Sequence, residues 1–307
     1  MFFPSRYLLV VSMLGSLSLA QDTGVNILTE CTKPGLFALT FDDGPGPATG
    51  ELLGVLKKKK VKATFFSLGV QARDINLGKY LKQALDDGHQ IASHTDRHLS
   101  LNTLTVEEIQ EEMKMADKSI KQATGVIPTY MRPPYGDCNP ACQEVMKTMG
   151  YHIVAWNVDS NDWQYVTTPE RYDSLVKNIV EKVNHSNPKV DSFVSLQHDI
   201  HDFSIERTAK VIDAIKEKGY QFTTVAECLG NQWPMYRNAT MAKSTVSMET
   251  TSVPTPTTST NSASIIVAQT NALKSTPSNN LTSESNHLNS YSHFLWLVVM
   301  WYFFYQN

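Results

Sequence analysis

Strand-like apolar runs alternate with helical patterns along most of the chain, and this alternation constrains the fold more than any other feature. Runs rich in β-branched and aromatic residues occur at 36–41, 62–68, 89–93, 129–132, 151–158, 193–197 and 221–226. Helical patterns separate them at 47–60, 76–87, 105–123, 139–149, 169–183 and 206–218. Strands joined by helices form parallel sheets that are covered on both faces. The pattern therefore predicts a single α/β domain, either a barrel or a doubly wound sheet.

The helix predicted at 105–123 has the clearest sequence signals. Thr105 and Glu108 match a capping box at its start. Apolar residues follow at helical spacing, namely Val106, Ile109, Met113, Ala116 and Ile120. Glycines stand where four of the helices should end, at Gly88, Gly125, Gly150 and Gly219.

The start of the chain carries the pattern of a secretory signal. Arg6 precedes an apolar run at 7–17, and small residues precede Gln21. This arrangement predicts a signal peptide over residues 1–20 that is removed by cleavage. The folded domain is then expected to cover residues 21–237.

The end of the chain predicts a stalk and a lipid anchor. Residues 238–290 are rich in Ser, Thr, Asn and Pro and carry few charges, as in an O-glycosylated stalk that does not fold. The apolar run at 294–305 is too short to span a bilayer, and a polar spacer and small residues around Ser283 precede it. We therefore expect 291–307 to be a GPI-anchor signal that is removed, with attachment at Ser283. In a secreted chain the sequons at Asn184, Asn238 and Asn280 predict N-glycosylation.

Four cysteines, Cys31, Cys138, Cys142 and Cys228, allow three disulfide pairings. Cys138 and Cys142 are close enough to pair locally, and Cys31 and Cys228 would then join the two ends of the domain. A zinc site built from four cysteines is the alternative, although no C-x-x-C pair occurs and a secreted protein meets an oxidising compartment. The formal net charge of −3 argues against nucleic acid as a partner.

Polar residues follow several of the predicted strands. They are Asp42, Asp43, His94, Arg132, Asp159 and His198. In an α/β barrel the carboxyl ends of the strands form one face, where active sites are built. We therefore expect these side chains to converge on one bowl.

The adjacent carboxylates of Asp42 and Asp43, in the stretch TFDDGP, allow two interpretations. They can lie in a solvated surface turn, or a divalent cation can bind one of them and leave the other free as a base. His94 and His98 are four residues apart, so on a helical turn they would share one face. Together with Asp43 they would form a His–His–carboxylate site with open positions, as a hydrolytic metal requires.

Five stretches resemble, in order, the motifs of the polysaccharide deacetylases, which form the NodB-homology group and carbohydrate esterase family four. They are TFDDGP (40–45), HTDRH (94–98), RPPYG (132–136), DSNDW (159–163) and LQHD (196–199). The resemblance implies a distorted (β/α)7 barrel. With the disulfides, stalk and anchor signal, the chain is most similar to fungal chitin deacetylases. The implied reaction removes N-acetyl groups from chitin to give chitosan and acetate.

The resemblance also implies how the metal and the base are arranged. Asp43, His94 and His98 would bind one divalent ion, Zn²⁺ or Co²⁺, although imidazole and carboxylate ligands alone do not select the metal. Asp42 would act as general base beside that ion. Arg132 would pair with Asp42 and keep it anionic, although a surface salt bridge is the alternative for this arginine.

The remaining implied roles concern the leaving group and the sugar. His198 would protonate the amine, and Asp162 would hold its tautomer and raise its pKa. The backbone N–H of Tyr135 would donate to the oxyanion. Trp163 would line the sugar site and Leu196 the pocket for the acetyl methyl group, although core packing explains these two residues almost as well.

Two other functions fit parts of the sequence. The same machinery could hydrolyse acetyl esters of xylan or act on peptidoglycan, and a protein without activity could bind the cell wall from its stalk. The complete set of motif residues favours an enzyme. We expect a monomer at the cell surface that faces the cell wall and contacts the membrane only through the GPI lipid.

Overall fold

The computed structural model describes residues 27–237, and within them the strands and helices alternate as the sequence predicts. The strands are β1 (Leu36–Ala38), β2 (Thr40–Asp42), β3 (Thr64–Ser67), β4 (Gln90–Ser93), β5 (Tyr130–Met131), β6 (His152–Ile153), β7 (Val158–Asp159), β8 (Phe193–His198) and β9 (Gln221–Thr223). The helices are α1 (Thr49–Lys59), α2 (Gly69–Ala72), α3 (Gly78–Asp86), α4 (Val106–Thr124), α5 (Pro140–Thr148), α6 (Ser174–Asn184), α7 (Asp202–Glu217) and α8 (Val225–Cys228).

All pairings between these strands are parallel, in the order β6-β5-β4-β3-β2-β8-β1-β9, with β7 also pairing with β8. The segment 152–159 begins as β6 beside β5 and ends as β7 beside β8. This one segment therefore connects the two sides of the sheet, as the predicted distorted barrel requires. The doubly wound alternative would leave these two sides apart.

Helix α4 shows where the sequence signals were right and where they failed. Its N-cap is Thr105, which forms the predicted capping box with Glu108, and it ends at Gly125 with φ 87°. Ile109, Met113, Ala116 and Ile120 are buried as expected, whereas Val106 is 41% exposed. Val106 is the first residue of the helix, so its side chain projects past the edge of the packed surface.

The hydrophobic core lies between the sheet and the surrounding helices. Its largest cluster joins Phe41 and Phe65 of the strands to Leu52 of α1, Ile179 of α6 and Ile212 of α7. Because all the strands are parallel, their carboxyl ends lie along one edge of the sheet. The polar residues of the motifs lie at those ends.

Two disulfide bonds join the four cysteines, Cys31 to Cys228 and Cys138 to Cys142. These are the predicted pairs, and the four-cysteine zinc site is excluded. Within residues 27–237, no helix combines the length and the apolar character needed to cross a bilayer. The predicted signal peptide, stalk and anchor signal lie outside the described residues, as do Asn238, Asn280 and Ser283.

A candidate metal and catalytic site

Asp42 and Asp43 adopt different backbone conformations, so their side chains face different partners. Asp42 is the last residue of β2 and is 2% exposed. Asp43 has φ 74°, which turns the chain sharply away from the strand. A Cβ atom at the next residue, Gly44, would lie 2.2 Å from the Asp199 carboxylate, so this position requires glycine. The turn separates the two carboxylates that the sequence places side by side.

His94 and His98 come together on a turn after β4, not on the helical turn that the four-residue spacing suggested. Thr95 and His98 both have left-handed backbone conformations, with φ 69° and 62°. The rings nevertheless lie close, with centroids 5.0 Å apart. The two imidazoles therefore approach each other, but not through the helical turn that the sequence suggested.

Asp43, His94 and His98 form a group of side chains whose possible ligand atoms all lie within 4.8 Å of one another. Asp43 Oδ1 is 3.4 Å from His94 Nε2 and 3.3 Å from His98 Nε2. This carboxylate oxygen is buried and has no hydrogen-bond partner. A buried oxygen without a donor is costly, and a cation between these three atoms would satisfy it.

The protonation states of the group also suit a cation. His94 Nδ1 lies 2.7 Å from the carbonyl oxygen of Arg132, which can only accept, so Nδ1 carries a proton and Nε2 is the ring atom that faces Asp43. Burial lowers the pKa of His98 to about 4, against the opposing charge of Asp43, so its ring is neutral at pH 7. Burial alone would raise the pKa of Asp43, but the nearby histidines hold it below its ordinary value. Two imidazoles and one carboxylate are ligands that zinc and cobalt accept.

Arg132 is fully buried inside the barrel and forms an ion pair with Asp42. Its Nη1 donates to Asp42 Oδ1 at 2.7 Å and to Thr40 Oγ1 at 2.8 Å. Nη2 and Nε donate to the carbonyl oxygens of Ala155 and Val154. The surface salt bridge considered for this arginine is excluded, and the guanidinium fixes the orientation of the Asp42 carboxylate.

His198 and Asp162 form a second buried pair on the other side of the same opening. His198 Nδ1 lies 2.7 Å from Asp162 Oδ1. The other carboxylate oxygen accepts from the His198 backbone N–H at 2.9 Å and from Ser204 Oγ at 2.6 Å. Burial disfavours the imidazolium, but Asp162 outweighs it, and the pKa of His198 is raised to about 10. The ring is therefore a proton donor at neutral pH, with Nε2 directed away from Asp162.

Tyr135, Trp163 and Leu196 differ in exposure. Tyr135 is 55% exposed, has φ 59°, and its ring centroid lies 4.6 Å from that of His98. Trp163 is 50% exposed, which excludes the core-packing interpretation for this residue. Leu196 is 5% exposed, so its side chain is largely buried.

Three polar residues near the site received no role from the sequence; Asp199 and Glu112 are buried and His201 is partly buried. The Asp199 carboxylate accepts a hydrogen bond from Thr49 Oγ1 at 2.6 Å. Burial raises the pKa of Asp199 to about 7. His201, at the N-cap of α7, has its ring 6.1 Å from that of His198. Glu112 of α4 contacts the turn that carries the two histidines. The position of Asp199 and His201 beside His198 in the chain could have pointed to them. Glu112 is one of several glutamates on α4, and nothing in the sequence distinguishes it from the others.

Comparison with known proteins gives four matches, all to polysaccharide or chitin deacetylases. A profile of the family described as polysaccharide deacetylase matches residues 29–154. The chitin deacetylase of Colletotrichum lindemuthianum is 36% identical over 208 residues, covering 66% of this chain and 83% of that protein. The chitin deacetylase of Pestalotiopsis sp is 38% identical over 208 residues, covering 67% of each. The solved structure of the Colletotrichum lindemuthianum enzyme aligns with a TM-score of 0.64 at 35% identity, covering 68% of this chain and 94% of that one.

Proposed function

The chain belongs to the polysaccharide deacetylase family, and we propose that it removes N-acetyl groups from the N-acetylglucosamine units of chitin, giving chitosan and acetate. The observation that carries this proposal is the convergence of three groups at one end of the barrel. They are the ion pair of Asp42 with Arg132, the ligand group around Asp43, and the ion pair of His198 with Asp162. The two chitin deacetylases that match this chain support chitin as the substrate.

Asp43, His94 and His98 would hold one divalent ion, Zn²⁺ or Co²⁺. When bound, such an ion supplies Lewis acidity, which polarises an amide carbonyl and lowers the pKa of water. The buried, unpartnered oxygen of Asp43 supports this assignment.

Asp42 is the proposed general base, because its carboxylate is paired with Arg132 and lies beside the ligand group. Its Oδ2 is 3.9 Å from His94 Nε2, so it borders the ligand group while its other oxygen holds the guanidinium. A carboxylate in this position can take the proton of the attacking water. Arg132 would keep that carboxylate oriented throughout the reaction.

His198 is the proposed general acid for the leaving amine, which is a poor leaving group until it is protonated. Asp162 accepts the Nδ1 proton, so the transferable proton is the one on Nε2. The elevated pKa of His198 supports a protonated ring in the resting enzyme. Proton removal by Asp42 and proton delivery by His198 would then occur on two sides of the same acetamide.

The sugar and the acetyl group would contact the remaining motif residues. The exposed indole of Trp163 offers a face for a pyranose ring. Leu196 would line the space for the acetyl methyl group, and the backbone N–H of Tyr135 would donate to the oxyanion.

We also propose that the enzyme is displayed at the cell surface. The disulfides at Cys31–Cys228 and Cys138–Cys142 support passage through an oxidising compartment. Asn184 is an exposed residue at the end of α6 and would carry an N-glycan. The signal peptide, the stalk and the GPI anchor at Ser283 complete this proposal.

Acetate release from a panel of substrates tests the proposed reaction. Purified protein is incubated with chitin oligomers, acetylated xylan and peptidoglycan, and acetate is measured over time. We expect release from the chitin oligomers at least tenfold faster than from the other two. Faster release from acetylated xylan or peptidoglycan would overturn chitin as the substrate while leaving the hydrolytic site in place.

A further inference from the structure

The turn 94–98, which presents both histidines, has an unfavourable backbone conformation. Thr95 is β-branched and has φ 69°, and His98 has φ 62°. Left-handed conformations are rare for residues other than glycine and persist only where surrounding contacts enforce them. The turn therefore needs contacts from outside its own residues.

Glu112 of α4 supplies contacts of this kind from a buried position. Its side chain is 2% exposed, and Oε2 accepts from the backbone N–H groups of Asp96 at 3.2 Å and Arg97 at 2.9 Å. Its other oxygen, Oε1, accepts from Arg97 Nε at 2.6 Å. One carboxylate thus binds the middle of the turn at three points, and the bonds to a charged acceptor are strong ones.

A second element holds the turn from the side of α2. The N–H groups of Gly69 and Val70 donate to the carbonyl oxygens of Thr95 and Asp96, both at 3.0 Å. The Asp96 carboxylate is bound by Arg73 through both of its oxygens. These contacts bind the carbonyl oxygens of Thr95 and Asp96 and the Asp96 side chain. The backbone N–H groups of Asp96 and Arg97 donate to Glu112 instead.

The two histidines depend on the turn to different degrees. His94 directly follows β4, and its ring is fixed by the bond to the Arg132 carbonyl oxygen. His98 lies at the far end of the turn, where its backbone N–H donates to Thr95 Oγ1 at 3.3 Å. A change in the middle of the turn would therefore move His98 more than His94.

We infer that Glu112 is a positioning residue for the metal site: by binding the N–H groups of Asp96 and Arg97, it fixes the turn that carries His98 to the cation. This inference rests on the proposed metal site. Glu112 itself contacts neither the proposed cation nor the substrate. Loss of its carboxylate leaves the buried N–H of Asp96 and the partly buried N–H of Arg97 without an acceptor, and the turn then relaxes towards conformations that draw His98 away from Asp43.

The test measures Zn²⁺ affinity of the full chain by competition with a chromophoric chelator, well below the unfolding temperature. We expect Glu112→Ala to weaken binding about 10- to 100-fold, the range seen when groups that orient metal ligands are removed. Glu112→Gln should lose less, because its single amide oxygen can still accept from both N–H groups. The exposed neighbour on the same helix, Glu111, provides the control variant Glu111→Ala, which should bind as the parent does. Arg97→Ala leaves the two N–H bonds intact and should fall between the control and Glu112→Ala.

A role in general stability alone predicts a different result. Glu112→Ala would then unfold at a lower temperature but bind Zn²⁺ as tightly as the parent, and this outcome would overturn the inference. If Glu112→Ala does not fold, Glu112→Met, which fills similar space without an acceptor, takes its place, and parent-like affinity in that variant has the same consequence.

The histidine ring signals in long-range ¹H–¹⁵N NMR spectra of the metal-free protein provide a second readout. In Glu112→Ala or Glu112→Met, which both lack the acceptor, the signals of His98 should change while those of His94 stay in place. Unchanged His98 signals would contradict the inference even if the parent bound no Zn²⁺. A parent that binds no Zn²⁺ would overturn the proposed metal site instead, so the two failures are distinguishable.

Discussion

At the scale of single residues, the site separates two neighbouring carboxylates by conformation. The left-handed turn at Asp43 directs its carboxylate to His94 and His98, while Asp42 remains in the barrel with Arg132. Asp42 thereby has a partner of opposite charge, and Asp43 faces two imidazoles. In the proposed mechanism, this separation would allow Asp43 to bind a cation and Asp42 to accept a proton.

The first prediction concerns Asp42. Asp42→Asn keeps the shape of the side chain but removes the group that accepts a proton, so turnover of chitin oligomers should fall about 100-fold or more. Bound metal should remain equal to that of the parent, since Asp43, His94 and His98 are unchanged. Metal content and initial rates are measured on the same preparation. Asp43→Asn is the matched control and should lose the metal; a parent-like rate for Asp42→Asn would exclude Asp42 as the base.

The second prediction concerns the pH dependence that Asp162 imposes on His198. Asp162 raises the pKa of His198, so the acid form persists to alkaline pH and activity falls as pH rises through that pKa. Asp162→Asn removes the negative charge, so the descending limb of kcat/KM should move to lower pH by about one unit or more. Asp42 and Asp43 also raise the pKa of His198 and are unchanged in this variant. Ser204→Ala, which keeps the Asp162 charge, should move the limb less, and an unmoved limb in Asp162→Asn would contradict the assignment.

Most of the candidate site could be predicted from the sequence, because its residues are concentrated in five short motifs at strand ends. The structure brings Asp42, Asp43, His94, Arg132 and His198 to one opening, as expected from parallel strands. The helical geometry assumed for His94 and His98 was wrong, because residue spacing does not reveal a left-handed backbone at Thr95. Glu112 could not be recognised, because its function depends on a contact across 16 residues of chain that no periodicity encodes.

At the scale of elements, the long helices were predicted better than the short ones. Helix α4 begins at the capping box and ends at the glycine that its sequence indicates. Helices α2 and α8 have only four residues each, too few for an apolar stripe to be visible. The apolar run at 151–158 predicted one strand, whereas the structure divides it into β6 and β7. That division follows from its two different neighbours, which are known only once the barrel forms.

The third prediction compares the two disulfides as links between elements. Cys31–Cys228 joins residues 197 positions apart, and Cys138–Cys142 joins residues 4 apart. In the chain-entropy model their contributions are about 5 and about 2 kcal/mol. Replacing Cys31 and Cys228 by serine should therefore lower the free energy of unfolding much more than replacing Cys138 and Cys142. Denaturant unfolding of the two double variants measures this, and equal losses would contradict the model.

At the scale of the whole molecule, the described fold carries the proposed catalytic residues, and the predicted ends of the chain would account for the proposed display. A stalk would hold the catalytic domain away from the membrane, within reach of an extended polymer. Such a position suits an enzyme that acts on chitin as the polymer emerges from the cell. It suits less well an enzyme that must diffuse to distant polymer.

The fourth prediction tests this display. Phosphatidylinositol-specific phospholipase C should release the protein from membranes, because the proposed anchor is a GPI lipid. A chain that ends at Ser283 should be secreted with unchanged activity, since the proposed catalytic residues all precede the stalk. If the lipase released nothing and the mature protein still carried Trp301, the anchor proposal would fail.

The central claim is that one divalent ion, bound by Asp43, His94 and His98, is required for deacetylation. The most direct measurement titrates the chelator-treated, metal-free protein with Zn²⁺ or Co²⁺ and follows bound metal and acetate release from chitin oligomers in the same samples. We expect activity to rise in proportion to bound metal and to saturate at one ion per chain. His98→Ala should show neither metal binding nor activity over the same range. Full acetate release by the metal-free protein, or parent-like metal binding by His98→Ala, would contradict the central claim.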